Sequence, residues 1–168
     1  MSHVTRKLAW LTALMLPGIA AAQTRSSLAL ATMNVGQATL ILSKNADLHF
    51  PDAFPGQGAL HNDAPAIWSV STTQGVNLSI SFTLPTALSG PGATIPLTYG
   101  TTSATHFLTG SGVTFDPSTG ATVMGSNSSG SVYLGYNAGT TDPFVTATVG
   151  TVPAGTYSAT IVLTIAVL

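Results

Sequence analysis

The chain has 168 residues, which suits one domain, with 45% hydrophobic and only 5% charged residues. Beyond residue 22, two basic residues stand against five aspartates, and the whole chain has no glutamate and no cysteine. With so few basic residues, the chain lacks the positively charged surface that binds nucleic acid or anionic lipid. Without cysteine it has no thiol for catalysis, for zinc coordination or for an iron–sulfur cluster.

The first 22 residues have the three regions of an export signal. Arg6 and Lys7 give a basic start, residues 8–19 form an apolar run, and Ala20-Ala21-Ala22 offer a small-residue cleavage site. A membrane anchor is the alternative, but the run is shorter than the roughly 20 residues that span a bilayer. We therefore predict a cleaved signal peptide at 1–22. The mature protein is expected in the periplasm, at the cell surface or outside the cell, without a membrane-spanning segment.

Strand patterns begin just beyond the predicted leader. Residues 27–43 form a first β-prone stretch, and 66–71 form a short mixed one. The clearest pattern runs from Val76 to Leu84, where five apolar residues alternate with Asn, Ser and Thr. An apolar period of two predicts a half-buried strand. Pro85 ends it, because proline has no N–H to donate to a neighbouring strand.

The second half of the chain continues in the same way. Predicted strands cover 94–99, 105–108, 113–115, 132–136, 144–149 and 157–168. Asp116-Pro117-Ser118-Thr119-Gly120 is typical of a turn, since Asp accepts backbone hydrogen bonds, Pro fixes φ and Gly tolerates positive φ. The Gly- and Ser-rich run at 125–130 predicts a loop. In the last strand, alternate residues from Tyr157 to Val167 are predicted to share one face.

Short strands separated by turns, without any helical period, predict an all-β fold. We expect an antiparallel immunoglobulin-like β-sandwich of about 8–10 strands, with a closed barrel as the alternative. The predicted organisation is a signal peptide at 1–22, an N-terminal β-prone segment at 23–43 and a sandwich domain at 44–168. The 23–43 segment is either the first strand or a donor strand for another subunit.

Three segments carry recognisable motifs. Residues 42–50, LSKNADLHF, are followed by Phe54-Pro55-Gly56; residues 76–85 form a strand ending in Leu-Pro; and residues 152–164 contain Pro-Ala-Gly-Thr-Tyr. Together they resemble a family of small exported bacterial domains of unknown function, whose ending is shared with spore coat protein U-like and chaperone–usher fimbrial subunits. The resemblance implies an immunoglobulin-like sandwich at the cell surface, built into a fibre, with a periplasmic chaperone as a partner. Pro51 stands where the family usually has glycine.

One polar cluster in the sequence offers candidate metal ligands. Its members are Asp47, His49, Asp52, His61 and Asp63. Asp and His are competent ligands for calcium or zinc, and Asp47 and His49 share a face if they lie on a strand. No HExxH helix or EF-hand spacing accompanies them. We therefore favour a hydrated strand edge and loop, and we expect no metal and no cofactor.

Catalytic and sugar-binding sites are the remaining alternatives. A nucleophilic triad needs a hydroxyl, a His base and an acid, but no G-x-S-x-G elbow is present, and His106 is the third histidine beyond the leader. A glycosidase needs two paired carboxylates, and Asp116 and Asp142 each precede proline in turns. We expect no enzyme. Four aromatic residues either stack on a sugar or pack within the sheets: Trp68, Tyr99, Tyr133 and Tyr136.

Two segments suit assembly with other copies of the chain. The 27–43 stretch and the last strand contain no lysine that would discourage edge pairing. The alternative is that both are ordinary strands of one closed sandwich. We therefore predict a non-catalytic structural subunit of a pilus-like or coat-like assembly, which associates with its own copies by strand addition. The alternative function is a secreted carbohydrate- or calcium-binding module.

Overall fold

A computed structural model describes residues 37–136 and 144–168, so the predicted signal peptide and residues 23–36 lie outside the described part. The described residues form twelve strands and no helix, and every strand pairing is antiparallel. The strands are β1 (Leu40–Ala46), β2 (Gly58–His61), β3 (Ala66–Thr72), β4 (Leu78–Thr83), β5 (Ala87–Gly90), β6 (Ala93–Tyr99), β7 (Ala104–Thr109), β8 (Ser111–Phe115), β9 (Ala121–Val123), β10 (Ser129–Leu134), β11 (Val145–Val149) and β12 (Val162–Val167). This part of the chain contains no helix long and apolar enough to cross a membrane.

The first layer is a five-stranded sheet in the order β1-β3-β10-β7-β8. Its second strand, β3, buries Trp68 and Val70, while the neighbouring residues Ile67, Ser69 and Ser71 are more exposed. This alternation follows from strand geometry, because successive side chains point to opposite faces. The layer therefore presents one apolar face to the interior, as the period-two pattern requires.

The second layer contains two smaller sheets, ordered β2-β11-β6-β5 and β12-β4-β9. Only three residues separate β4 from β5, and the end of the chain runs beside both. Ser158 bridges Ser89 of β5, and residues 162–167 then pair with residues 83–78 of β4. The final segment therefore lies along the outer edge of this layer.

One hydrophobic core joins all three sheets. Rings link the layers directly: the centroid of Trp68 in β3 lies 5.7 Å from that of Phe82 in β4, which lies 6.2 Å from that of Phe115 in β8. The described core contains no charged residue. Its buried apolar members are Ala66, Trp68, Val70, Leu78, Ile80, Ile95, Leu97, Ala104, Leu108, Val123, Val132, Leu134, Val145, Ala147, Val149, Leu163 and Ile165.

The predicted all-β sandwich is confirmed, and so are most of its strands. In β4, Leu78 and Ile80 are buried while Ser81 and Thr83 are exposed. The predicted Asp116 turn also forms: the Asp116 carboxylate accepts hydrogen bonds from the Ser118 hydroxyl (2.6 Å) and the Ser118 N–H (2.8 Å). These two bonds lower the pKa of Asp116.

Three predictions of strand extent are wrong. The described residues contain twelve strands rather than 8–10, because β2, β5 and β9 are too short for an alternation to be visible. The last strand begins at Val162 rather than Tyr157, since only the Ser158 bridge joins the preceding residues to a sheet. The predicted 125–130 loop overlaps β10, because Ser129 pairs with Ser71 of β3.

A buried asparagine ties together two of the crossings between the layers, β2–β3 and β10–β11. The Asn62 N–H donates to the Val145 carbonyl (3.1 Å), and the Asn62 Oδ1 accepts from the Val145 N–H (2.8 Å). The Asn62 Nδ2 donates to the carbonyls of Gly135 (2.8 Å) and Ala64 (3.3 Å). One side chain thus holds the β2–β3 corner, the end of β10 and the start of β11.

We expect Asn62→Ala to lower the free energy of unfolding by about 2–4 kcal/mol, because it leaves buried backbone groups of Val145 and Gly135 without partners. Asn45→Ala is the matched control, since the Asn45 Nδ2 donates only to the exposed Ser69 Oγ (2.8 Å). The control should change stability by less than about 0.5 kcal/mol. Urea unfolding of both variants measures the difference, and equal losses would contradict this role for Asn62.

Candidate functional site

A groove of about 880 Å³ opens between the two layers. Its floor includes Ile95 and Leu97 of β6 and Ala147 and Val149 of β11, which all belong to the buried core. The end of β1 and two irregular segments, residues 47–55 and 152–161, line its sides. The floor of the groove is thus an apolar strip of sheet, largely covered by two segments that pair little with it.

The first wall is attached to the β2–β3 corner at one point. The His49 N–H donates to the Ala64 carbonyl and the Asp63 N–H donates to the His49 carbonyl, each at 3.0 Å. The side chains add a His49 Nδ1–Asp63 Oδ1 contact of 2.6 Å. The bond from His49 lowers the pKa of the Asp63 carboxyl group. On either side of His49, Leu48 and Phe50 pack partly buried against the core.

The second wall contains the Pro-Ala-Gly-Thr-Tyr motif. The Tyr157 hydroxyl donates to the Pro153 carbonyl (2.8 Å), which closes the motif on itself. The Tyr157 ring covers Gly90 so closely that a Cβ at Gly90 would lie 2.5 Å from the ring. A Cβ at Gly155 would lie 2.5 Å from Pro91. The motif therefore seats this wall on the β5–β6 hairpin.

The five candidate metal ligands do not form one site. Asp47 pairs with the Lys44 Nζ at 2.6 Å, His49 pairs with Asp63, and the His61 Nδ1 lies 3.1 Å from the Thr146 hydroxyl. Asp52 is exposed. Within residues 37–136 and 144–168, no three His, Asp, Glu or Cys side chains form a group that fits a metal ion. The structure brings together only His49 and Asp63.

The histidines likewise form no catalytic triad in the described residues. His49 has a carboxylate partner in Asp63, but no hydroxyl is hydrogen-bonded to its ring there. His106 is only 4% exposed, and its Nδ1 has no hydrogen-bond partner. Its ring centroid lies 5.9 Å from that of Phe115, and burial lowers the pKa of its imidazole. His106 is thus a core residue.

The four candidate aromatic residues separate into two groups. Trp68 is buried in the core, and the half-buried Tyr99 donates its hydroxyl to the Pro85 carbonyl (2.8 Å) while burial raises the pKa of Tyr99 to about 12. Tyr133 and Tyr136 remain partly exposed. Their ring centroids are 4.6 Å apart, and Phe107 lies 5.4 Å from one and 5.8 Å from the other.

The two sheet edges predicted to be open differ in how well they are protected against pairing with another strand. Strand β1 pairs only with β3 among the described strands, but it carries Lys44, and its register shifts between Lys44 and Ala46. A lysine and a bulge both discourage edge pairing. Strand β12 pairs only with β4 and has neither a charged residue nor a register shift. The more open edge is therefore β12.

Sequence reasoning missed Asn62 and Phe107, because a lone Asn and a lone Phe carry no spacing signal. It did single out residues 152–164, although as a motif rather than as the wall of a groove. The sequence offered a signal for that contact: Gly90 precedes Pro91 and Gly155 lies two residues after Pro153, in turn-rich segments where close backbone approach favours glycine.

Comparison with known proteins gives one distant likeness. No family model matches the chain, and no curated protein matches it. A solved structure described as "Chaperone-tip adhesin complex is vital for synergistic activation of CFA/I fimbriae biogenesis" is similar over 78% of this chain and 41% of the other chain, with 15% identity and a TM-score of 0.45. This chain thus spans about two fifths of the length of that protein. So distant a likeness carries no argument about activity or partners.

We expect the buried His106 to make stability depend on pH. Because the folded protein lowers the pKa of His106 below the unfolded value of about 6.5, the unfolded state binds more protons on acidification. Neutral His106 therefore makes its full contribution to the free energy of unfolding above about pH 6.5, and this contribution is lost as the pH falls below that value. Lowering the pH from 7.5 to 5 should therefore lower the melting midpoint.

His106→Leu is the comparison variant, since Leu is of similar size and removes the unpartnered Nδ1. Its melting midpoint should lose most of this pH dependence, because no group at position 106 then takes up a proton. Thermal unfolding followed by circular dichroism between pH 5 and 8 measures both proteins. Parallel curves for the two would show that His106 is not the titrating group.

Proposed function

We propose that this chain is a non-catalytic structural subunit of a cell-surface or extracellular assembly, in which copies associate by strand addition. The observation that carries the proposal is the groove of about 880 Å³ with its apolar floor. An extended segment laid along such a strip buries alternate side chains on it. Its main-chain hydrogen bonds must come from a strand edge beside the groove, because the floor strands β6 and β11 are each paired on both sides. The low content of charged residues supports the same role, because little opposes close packing of copies.

The occupant that fits this proposal is the segment preceding β1 in a second copy. Residues 40–43, the end of the predicted 27–43 stretch, pair with β3 of their own chain, so the part available for addition is confined to residues before Leu40. Residues 27–39, SLALATMNVGQAT, contain apolar side chains and no charge. Such a segment matches a groove floor made of Ile95, Leu97 and Val149.

A peptide comprising residues 27–39 should therefore bind the protein and raise its melting midpoint, because a ligand of the folded state stabilises it. At a free concentration of 100 times the dissociation constant, the gain in stability is about 2.7 kcal/mol. The control peptide carries Leu28→Ser and Leu30→Ser and should give little or no shift. Equal shifts from both peptides, or none from either, would count against addition in the groove.

Assembly itself is tested on material from cells that express the chain. Negative-stain microscopy with antibody labelling should find the protein in fibres or coats at the surface. A protein that is only ever monomeric and periplasmic would rule out the structural role, whatever the peptide experiment shows.

A second candidate function is carbohydrate binding at the Phe107, Tyr133 and Tyr136 rings, supported by their mutual contact and partial exposure. Aromatic faces stack well on apolar ring faces, and phenolic hydroxyls supply hydrogen bonds. A glycan array tests it, with Tyr133→Ala expected to abolish any signal. Tyr157→Phe is the control, because it keeps the ring at Gly90 and should retain the signal.

Calcium binding is less well supported, because the candidate residues Asp47, His49, Asp52, His61 and Asp63 separate into independent contacts. We expect millimolar calcium to leave the melting midpoint unchanged. A rise in the midpoint that saturates with calcium, and that EDTA reverses, would contradict this expectation.

A further inference from the structure

We infer that the outer edge of β12 pairs with β12 of a second copy, antiparallel and in one register centred on Ile165. This inference rests on the proposed function, and it adds the partner and the register at one edge. It concerns a surface other than the groove, so the two can fail separately.

The backbone of the final segment leaves alternate groups free for such pairing. The Leu168 N–H donates to the Asn77 carbonyl, and the Ser158 N–H donates to the Ser89 carbonyl, each at 2.9 Å. Even-numbered residues therefore turn their backbone groups toward β4 and β5, as antiparallel pairing requires. Leu163, Ile165 and Val167 turn theirs outward, where no described strand pairs with them.

The exposed side chains of this edge complement one another across a two-fold axis. Val162 is 46% exposed, Val167 42% and Leu168 68%. With Ile165 opposite itself, all seven residues 162–168 pair, and Val162 lies beside Leu168 of the second copy. On the inner face, Val167 lies beside Leu163 of the second copy and extends the core. Each exposed apolar side chain thus gains an apolar neighbour.

The charge pattern favours a copy of the same chain over another partner. Residues 144–168 contain no Asp, Lys, Arg or His. A charged partner finds no opposite charge on the side chains of this edge, whereas two identical edges bury no charged side chain and replace the lost hydration of their backbone groups with hydrogen bonds to each other. The edge of β1 differs, because Lys44 and the shift beside it interrupt a second pairing there.

The register is tested by disulfide formation in Thr164→Cys/Ala166→Cys. Centring on Ile165 places residue 164 opposite residue 166 of the other copy in a non-hydrogen-bonded pair, whose separation suits a disulfide. The chain has no other cysteine, so a covalent dimer on a non-reducing gel reports this contact alone. In a variant with only one of the two cysteines, that cysteine does not face the same residue of the second copy and should give no covalent dimer. Efficient dimers from Thr164→Cys alone would overturn the register.

The edge is tested by sedimentation equilibrium of lysine variants. Val162→Lys and Val167→Lys should each raise the dimer dissociation constant about tenfold or more, because each forces a charge into the paired edge. Ile41→Lys is the matched control: Ile41 lies on the β1 edge and is 62% exposed, and this variant should change the constant by less than about twofold. Circular dichroism confirms that the variants stay folded, as their exposed positions predict.

The outcomes separate this inference from the proposed function. Pairing through β12 is wrong if assemblies form but the two cysteines stay reduced. It is also wrong if Ile41→Lys weakens the dimer while Val167→Lys does not. In both cases the proposal of strand addition in the groove stands. If the β12 dimer forms but the 27–39 peptide does not bind, the groove proposal fails alone. A chain that stays monomeric at every concentration tested, with reduced cysteines, overturns the inference.

Discussion

The buried amide of Asn62 is the constraint on which the two-layer arrangement depends. A sandwich requires the chain to cross between layers, and each crossing interrupts a sheet and leaves backbone groups that need partners inside the protein. Asn62 supplies those partners for the β2–β3 corner, for Gly135 and for Val145. An Asn side chain suits this position because its amide both donates and accepts without introducing a charge.

With these two crossings held by an uncharged group, the remaining stability comes from apolar packing. The described core has no ion pair, and the two ion pairs of the described residues, at Asp47 and Asp63, lie on the surface. Exposed pairs of this kind contribute little. The protein therefore depends on the fit between its layers, seen in the Trp68–Phe82–Phe115 ring series, rather than on charge. This explains how a chain with 5% charged residues can still specify one fold.

The sequence predicted the parts of the fold that repeat along the chain. Strand β4 was visible because Leu78 and Ile80 alternate with serines, and the Asp116 turn because its residues suit specific backbone angles. Strands β2, β5 and β9 have four residues or fewer, which is too short for a period to register. The start of β12 was misplaced because alternation continues back to Tyr157, although Tyr157 instead covers Gly90.

The site was harder to predict, because its residues come together only through the fold. Asp47, His49, Asp52, His61 and Asp63 are close in sequence, yet only His49 and Asp63 meet, across the β2–β3 corner. The groove floor combines β6 with β11, and sequence spacing does not reveal that pairing. The Pro-Ala-Gly-Thr-Tyr motif was recognised from its amino-acid sequence. Its contact with the β5–β6 hairpin could not be predicted, because it depends on residues far from the motif in the chain.

The position of the final strand also determines when folding can finish. Strand β12 covers the edge of β4, but β5 to β11 lie between them in the chain. A chain synthesised from its first residue onward presents β4 long before β12 is available. During that interval β4 has an unpaired edge, and Leu78 and Ile80 lack the cover of Leu163 and Ile165. Such transient edges are prone to aggregation, so the interval before β12 arrives, rather than the final stability, is when β4 most needs cover.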